Sequence, residues 1–240
     1  MRKSLAPMIA ASAALAGCQV HAKDGGPTVS RSYQVGNFQQ IEVAGPYEVE
    51  VRTGGNPGVS ARGSEKLLEH TTVEVEGDKL VIRPERQGGW FHFGWSSRGN
   101  AHFTVTVPQL SGATIAGSGD IRVDRVAGEK FEGTVAGSGG IDVAAMDVQQ
   151  LKLSIAGSGG VKAGAGKTQS AEYDIAGSGD LDAGAVQAQQ LKVSIAGSGG
   201  VKAHASGTAD VSIVGSGDVE VSGGAKCNVS KQGSGDVRCS

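Results

Sequence analysis

Aromatic residues, cysteine and long apolar runs are scarce in this sequence, and each scarcity excludes a class of protein. Aromatic residues make up 4% of the 240 positions, which leaves too few large rings for a bulky aromatic core. Three cysteines are too few for a disulfide-dense scaffold, and no apolar run is long enough for a transmembrane helix. Acidic and basic residues nearly balance, 24 against 22, without a basic patch, so nucleic acid is not an expected partner.

Glycine, by contrast, is abundant, with 40 residues. Glycine adopts backbone conformations that other residues avoid and allows neighbouring backbones to approach closely. The composition therefore favours a thin, turn-rich β structure.

The first 18 residues have the pattern of an export signal. Two basic residues precede a short apolar stretch at 5–14, and Leu-Ala-Gly-Cys follows at 15–18. This pattern resembles the lipobox of bacterial lipoproteins, which implies removal of residues 1–17 and attachment of lipid to Cys18. The alternative is a general secretory signal with an incidental cysteine.

The same resemblance predicts where the protein resides. Gln19, rather than aspartate, follows the cysteine and favours the outer membrane over retention at the inner membrane. Stable anchoring needs more than one acyl chain, which a lipoprotein cysteine carries. We therefore expect an exported protein held to the outer membrane by its lipid, facing the periplasm or the cell surface, with residues 18–36 as a tether.

Seven Gly-Ser-Gly triplets recur at a nearly constant spacing in the C-terminal half. They begin at residues 117, 137, 157, 177, 197, 215 and 233, so the spacing is 20 residues four times and then 18 twice. An internal repeat of this length is typical of solenoids, in which each repeat forms one coil that stacks on the next.

Apolar residues keep fixed places around the triplets, as Ile155, Val161 and Ala163 do around the triplet at 157. The last coil departs from this pattern with Lys231 two positions before its triplet. Apolar and polar residues alternate, which is typical of strands. Each coil is predicted to be a strand, a Gly-Ser-Gly turn, a second strand and a second turn, and the two-residue shortening falls in the second turn. We predict parallel coils rather than an antiparallel meander, because so many strands in one open sheet would be rare.

Two columns of outward charges agree with stacking in register. Five positions after each first glycine stand Arg122, Asp142, Lys162, Asp182, Lys202, Glu220 and Arg238. Five positions before it stand Glu132, Lys152, Glu172, Lys192 and Asp210. Equivalent residues of stacked strands lie about 4.8 Å apart, where opposite charges attract. Since the signs alternate, we expect both columns to form ion-paired, solvated ladders.

The last coil contains the two remaining cysteines. Cys227 stands six positions before the final triplet and Cys239 six positions after its first residue, and both are inward positions. In an oxidising compartment we expect a disulfide that closes the open end of the solenoid. The alternative is two buried thiols.

The segment before the repeats is predicted to contain further strands. They are expected at 38–43, 47–51, 72–76, 79–82 and 102–108. Gly77-Asp78 is typical of a hairpin turn, and Leu67-Leu68 between glutamates suggests one short helical turn.

Three features together resemble the bacterial head GIN domain family, whose members are described as putative auto-transporter adhesins. They are Phe-x-x-Ile-x-Val-x-Gly at 38–45, Val-x-Val-Pro-x-Leu at 105–110, and the ladder of Gly-Ser-Gly coils. The resemblance covers residues 37–240, with 37–110 as an N-terminal β segment and 111–240 as the repeats of the same domain. It implies an all-β, single-stranded, right-handed parallel β-helix of seven 18–20-residue coils, which the N-terminal segment joins or caps. It also implies export by bacteria, and it carries over no catalytic residues.

One glycine-flanked segment concentrates the rare aromatic residues. Trp90, Phe91, Phe93 and Trp95 lie between two predicted strands. Aromatic side chains in loops stack on sugars or enter membrane surfaces, so this segment is the candidate binding loop. The alternative is that these rings cap the N-terminal end of the core or belong to a strand.

The sequence offers no pattern typical of an enzyme. Seven copies of one serine indicate a ladder of turns rather than a nucleophile, which needs a neighbouring base. The histidine spacing fits no metal site, although Asp218 and Asp236 could stack as a weak cation site. We expect no enzyme activity, no cofactor, no catalytic residue and no metal.

Three hypotheses for function remain. The first is a non-enzymatic, adhesin-like envelope lipoprotein that binds a glycan or protein and contacts the membrane through its lipid. The second is a periplasmic structural or envelope-assembly lipoprotein with protein partners. The third is a carbohydrate-active β-helix enzyme.

Overall fold

The computed structural model of the protein describes residues 26–85 and 101–240. In chain order these residues form β1 (Thr28–Tyr33), β2 (Gln40–Ala44), β3 (Glu48–Thr53), β4 (Gly58–Ser64), α1 (Glu65–Glu69), β5 (Thr71–Glu76), β6 (Lys79–Pro84), β7 (Ala101–Val107), β8 (Gly112–Gly117) and β9 (Asp120–Val123). The repeats continue with β10 (Val126–Gly137), β11 (Gly140–Gly157), β12 (Gly160–Gly177), β13 (Asp180–Gly197), β14 (Gly200–Gly215), β15 (Asp218–Ser222), β16 (Lys226–Gly233) and β17 (Val237–Cys239). In this part of the chain no helix has the length and apolar character needed to cross a membrane.

Parallel pairing of successive repeats builds a β-solenoid, as the sequence predicted. The triplets stack on one another in register, so that Gly157 pairs with Gly137 on one side and Gly177 on the other. We call the strands before the triplets the pre-triplet face (112–117, 132–137, 152–157, 172–177, 192–197, 210–215 and 228–233). The strands after them form the post-triplet face (120–123, 140–143, 160–163, 180–183, 200–203, 218–221 and 237–239).

The core is a set of stacked aliphatic columns. Val135, Ile155, Ile175 and Ile195 are exposed by 2% or less and lie in register with one another. Their side chains point inward because successive residues of a strand alternate between its two sides. Burial of these columns between coils is the main stabilising contribution, since a single coil has little apolar surface to bury alone.

The shorter repeats are accommodated between the two faces, at the place predicted for the second turn, where β13 and β14 each continue as a single strand. Between β13 and β14 the pairing runs in register to Ala183 and Ala203, then shifts twice, and resumes at Gln190 and Thr208. The strands on both faces therefore keep their register although the repeat loses two residues.

The first coil of the solenoid lies before the triplet repeats in sequence, at β2 and β3. Ala44 pairs with Ala116, and Glu48 pairs with Asp120, so Gly45-Pro46-Tyr47 occupies the place of a Gly-Ser-Gly triplet. This coil lies between the coil of β6 and β7 and the coil of β8 and β9. The chain first forms this coil with β2 and β3 and then continues to the N-terminal side, where β6 and β7 form the next coil. It then returns past the first coil and forms β8 and β9 on the opposite side.

Antiparallel strands and a helical turn close the N-terminal end. β4 pairs antiparallel with β7, β1 with β4, and β5 with β6 through the turn at Gly77-Asp78. α1, expected around Leu67-Leu68, buries both leucines against the end of the core. The tether expected over 18–36 is therefore wrong for residues 28–33, whose backbone is paired along the edge of the cap.

Candidate binding face

The pre-triplet face carries a ladder of real ion pairs. Lys192 Nζ donates to Glu172 at 3.0 Å, while Lys152 Nζ lies 3.5 Å from Glu172 and 3.6 Å from Asp174. The hydrogen bond from Lys192, together with the charge of Lys152, holds the pKa of the Glu172 carboxyl below its ordinary value. The nearby carboxylates of Glu172 and Asp174 raise the pKa of Lys152. The ladder expected from the sequence is present over these coils.

The post-triplet face differs, although its charges alternate in the same way. Within residues 26–85 and 101–240, no salt bridge of 4.0 Å or less joins any two members of the column that the sequence predicted to pair. Lys162 and Lys202, for example, are exposed and lie outside every ion pair described here. The expectation of a paired ladder is wrong for this column. An exposed pair gains little energy, so alternation alone does not hold long side chains together.

Two of the aspartates that follow the triplets accept hydrogen bonds from the backbone of the next coil. Asp180 Oδ1 accepts a hydrogen bond from the Gly200 amide at 3.1 Å, and Asp218 Oδ1 accepts one from the Asp236 amide at 2.9 Å. These contacts give Asp218 a structural role in stacking. No group of three histidine, cysteine, aspartate or glutamate residues suited to a metal occurs in the described residues.

Where glycine replaces this aspartate, the post-triplet face opens into a trough. Gly200 lies between Asp180 and Asp218 in the stack, and the trough there has a volume of about 460 Å³. A second trough of about 320 Å³ lies over Gly140 and Gly160. The larger trough is lined by charged side chains, which include Asp180, Asp182, Lys202, Asp218, Glu220 and Arg238. This concavity was not predicted from the sequence, in which the exchange of aspartate for glycine is its only signal.

The triplet serines lie on the outer corner of the solenoid, where their hydroxyls are exposed. The Ser158 amide donates to the Gly137 carbonyl oxygen at 2.9 Å, and the other triplet serines from Ser138 onward make the same contact with the preceding coil. Among the described hydrogen bonds, none joins a triplet hydroxyl to a histidine or a carboxylate. The serines therefore contribute to turns, and this corner lacks the base that a serine nucleophile needs.

Two of the predicted sites lie outside the described residues. They are the lipid-attachment residue Cys18 and the aromatic segment of Trp90, Phe91, Phe93 and Trp95. The last described residue before that segment, Glu85, follows β6, and the first described residue after it, Ala101, begins β7. In the coil of β6 and β7 these two residues lie at the level where other coils have their triplet. The N-terminal core beside them is already covered by β1, β4, α1 and β5.

The third predicted site is the disulfide in the last coil. The sulfur atoms of Cys227 and Cys239 are bonded, and the two Cα atoms are 6.7 Å apart. The bond joins the start of β16 to the end of β17 and so ties the two faces of the last coil together. Cys227 is only partly buried and Cys239 is exposed, because no further coil covers them.

Comparison with known proteins places the chain in a family. The family described as "Putative auto-transporter adhesin, head GIN domain" matches residues 37–225. No curated protein gave a match.

Solved structures of bacterial proteins show the same fold. A putative adhesin from Bacteroides fragilis is 22% identical, with a TM-score of 0.80 over 89% of this chain and 97% of its own. A putative lipid binding protein from Parabacteroides distasonis is 24% identical, with a TM-score of 0.68 over 90% and 98%. A putative adhesin from the same species is 19% identical, with a TM-score of 0.70 over 90% and 98%. At these identities the likeness shows the fold alone.

Proposed function

This chain belongs to the head GIN domain family of putative auto-transporter adhesins, and from that premise we propose that it is a non-enzymatic interaction protein of the bacterial cell envelope. Residues 1–17 act as a lipoprotein signal, Cys18 carries the lipid, and the solenoid is held at the outer membrane with its faces free to bind. The ligand is a glycan or a protein.

One observation carries the proposal, namely that the charged column of the post-triplet face forms no salt bridge of 4.0 Å or less within residues 26–85 and 101–240. On the pre-triplet face the charges of Glu172 and Lys192 are already engaged with each other. On the post-triplet face Lys162 and Lys202 are exposed outside any described ion pair, beside troughs lined by carboxylates. A polar ligand can bind such groups without first breaking an ion pair within the protein. The free energy needed to break such a pair would otherwise weaken binding of the ligand.

The first experiment separates the cell surface from the periplasm. An epitope tag after Ser240 is probed with antibody on intact and on permeabilised cells, with a soluble periplasmic protein as the control for leakage. Labelling of intact cells supports the adhesin-like function. Labelling only after permeabilisation contradicts it and leaves the envelope-assembly alternative.

The second experiment tests the face itself. Lys162→Ala combined with Lys202→Ala is compared with Lys152→Ala combined with Lys192→Ala in a screen of glycans and envelope proteins. We expect the first double variant to lose binding and the second, from the paired ladder, to keep it. Equal binding by both would refute the role of the post-triplet face.

A third experiment tests the anchor. We expect Cys18→Ala to move the protein from the membrane fraction to the soluble fraction and to abolish incorporation of labelled fatty acid. Unchanged fractionation and labelling would show that Cys18 carries no lipid.

A further inference from the structure

The two troughs of the post-triplet face form one continuous groove along the solenoid. Asp180 and Asp182 line both of them, so the smaller trough continues into the larger one. From the coil of Asp120 to the coil of Asp218 the groove crosses five steps between paired coils. At about 4.8 Å for each step its length is about 24 Å. A groove of this length accommodates a chain of ligand units rather than one small molecule.

Each trough holds an ammonium group between carboxylates of the neighbouring coils. Lys202 lies in register between Asp182 and Glu220. Lys162 lies in the same way between Asp142 and Asp182. Neither lysine forms an ion pair within residues 26–85 and 101–240. Hydrogen-bond donors and acceptors therefore alternate along the groove, and both are open to a ligand.

Contacts with the backbone hold two of the carboxylates in place. Asp180 Oδ1 accepts a hydrogen bond from the Gly200 amide at 3.1 Å, and Asp182 Oδ1 accepts one from the Gly184 amide at 3.3 Å. The second oxygen of each carboxylate accepts none of the hydrogen bonds described here, so it remains an acceptor for a ligand. A group that is already held in place loses little conformational freedom when it binds.

The groove does not fit the usual modes of peptide recognition. Strand β12 is paired on both sides, with β11 and β13, so an added peptide strand would find no free edge there. Leu181, Val201 and Val219 lie beneath the larger trough and are exposed by 2% or less. The apolar face of an amphipathic helix would therefore find no apolar surface to cover.

The charges of the groove also select against strongly charged polymers. Carboxylates outnumber basic groups in the linings of both troughs, so a polyanion would be repelled. A polycation would be attracted by the carboxylates but repelled by Lys162 and Lys202. A hydroxyl group both donates and accepts hydrogen bonds, so a chain of hydroxyl-rich units matches the alternating donors and acceptors.

We propose that this groove binds a linear, uncharged polysaccharide along the solenoid axis, which rests on the proposed binding function of the face and narrows its ligand to one class. The carboxylates accept hydrogen bonds from sugar hydroxyls, and the ammonium groups of Lys162 and Lys202 donate to sugar oxygens. Among the described residues that line both troughs there is no aromatic side chain on which a sugar ring could stack. Contact with one sugar is therefore weak, and affinity increases as a longer chain makes contacts along the groove.

The test measures how binding depends on chain length and salt. Isothermal titration calorimetry compares disaccharides to octasaccharides of glucose, mannose and N-acetylglucosamine with oligolysine and oligogalacturonate. We expect a neutral octasaccharide to bind at least about tenfold more tightly than the disaccharide of the same sugar, the change that corresponds to 1.4 kcal/mol. Its affinity should change little between low and high salt, because an uncharged ligand has no charge to screen.

Gly200→Asn tests whether the groove itself is the site. The equivalent position of the last coil already accommodates a side chain of this size, since the Asp236 amide bonds to Asp218 Oδ1 at 2.9 Å as the Gly200 amide does to its own partner. Ala196→Asn is the matched control, because it enlarges an exposed side chain of the same strand on the pre-triplet face. We expect Gly200→Asn to weaken octasaccharide binding at least about tenfold and Ala196→Asn to leave it unchanged.

Gly160→Asn provides a second variant in the other trough. A Cβ there would meet its nearest atom at an ordinary 3.6 Å, so a folding defect of Gly200→Asn, seen as a lowered urea midpoint, still leaves a decisive comparison. We expect Gly160→Asn to weaken binding of the octasaccharide more than binding of the disaccharide, because only the longer chain must occupy both troughs.

Three results would overturn the proposal, and they differ in what they mean for the proposed function. Binding of oligolysine or oligogalacturonate alone, lost in the Lys162→Ala and Lys202→Ala double variant, would change the ligand class and leave the binding face intact. A neutral oligosaccharide that binds equally to the wild-type chain, Gly200→Asn and Gly160→Asn would show that the groove is not its site. Binding of none of these probes, with equal behaviour of the two double lysine variants in the wider screen, would refute the role of the face as well.

Discussion

Gly157 is a position where a single added methyl group should destabilise the solenoid strongly. Its φ is +132°, and a Cβ built there would lie 2.3 Å from the Gly137 carbonyl oxygen of the preceding coil. That oxygen accepts hydrogen bonds from the Ser158 and Gly159 amides at 2.9 and 3.0 Å. Relief of the clash must therefore move a backbone group that holds two coils together.

The expected loss follows from these contacts. Holding a residue other than glycine at this φ costs about 1–3 kcal/mol. Weakening two hydrogen bonds adds about 1 kcal/mol for each. We expect Gly157→Ala to lower the free energy of unfolding by about 3–5 kcal/mol, the sum of these two contributions.

Gly160 provides the matched control three residues away. Its φ lies outside the left-handed region, and a Cβ there would meet its nearest atom, the Asp180 carbonyl oxygen, at an ordinary 3.6 Å. Gly160→Ala should change stability by no more than about 0.5 kcal/mol. Urea unfolding monitored by circular dichroism, with the slope m compared between variants, measures both changes. Similar losses in the two variants would refute the argument that close approach between coils fixes the triplet glycines.

Three further predictions concern charge, covalent closure and the aromatic segment. Glu172→Gln should destabilise the protein at neutral pH by less than about 1 kcal/mol, because the pair with Lys192 is partly exposed. Since folding lowers the pKa of Glu172, its contribution is present above the ordinary value of 4.5 and is lost as the pH falls through the lowered pKa. Urea midpoints should therefore differ at pH 7 and converge in acid, and a difference that persists in acid would contradict the ion pair. Cys227→Ser should weaken the last coil by about 2–4 kcal/mol, seen as faster amide hydrogen exchange there, and unchanged exchange would show that the bond constrains nothing. Trp90→Ala combined with Trp95→Ala should leave Tm unchanged if the segment binds ligand, whereas a large drop in Tm would assign both rings to the core.

The repeat register could be predicted because it depends on backbone geometry and on the inward columns. Gly-Ser-Gly spacing located the turns, and the two-residue deficit was correctly placed between the two faces. The first coil escaped prediction because Pro46 and Tyr47 replace serine and glycine. The apolar pattern of this coil was nevertheless present in the sequence. Val43 and Val49 have the same spacing around Gly45 as the equivalent inward positions have around the first glycine of each triplet.

Tyr47 also explains why this coil departs from the repeat. Its ring packs edge-on against Phe103 at 5.4 Å between centroids, and its hydroxyl bonds to Thr71 Oγ1 at 3.0 Å. Thr71 belongs to the cap strand β5 and Phe103 to β7 of the neighbouring coil, so the third residue of this turn anchors the first coil to both. A contact between segments so distant in sequence has no local signal.

The charged columns show a different limit to prediction from the sequence. Sequence spacing assigned Lys162 and Glu172 to outward positions, but it could not say that only Glu172 would find a partner. The energy of an exposed pair is close to that of two hydrated side chains, so small differences in the shape of each face decide the outcome. Strands β1 and β4 were missed for a related reason, because their small and polar residues make a weak alternating pattern.

The placement of the first coil between the cap and the repeats has a consequence for how the chain folds. Contacts between β2 and β8 join residues 72 positions apart, whereas later coils meet partners only 20 or 18 positions away. Loop closure over the longer distance costs more entropy and is slower. During synthesis the slow step can be finished once β9 has emerged, and each later coil then adds to a completed template. The number of later coils therefore does not affect this slow step. Duplication or loss of one repeat in the gene would change the length of the solenoid without changing its first coils.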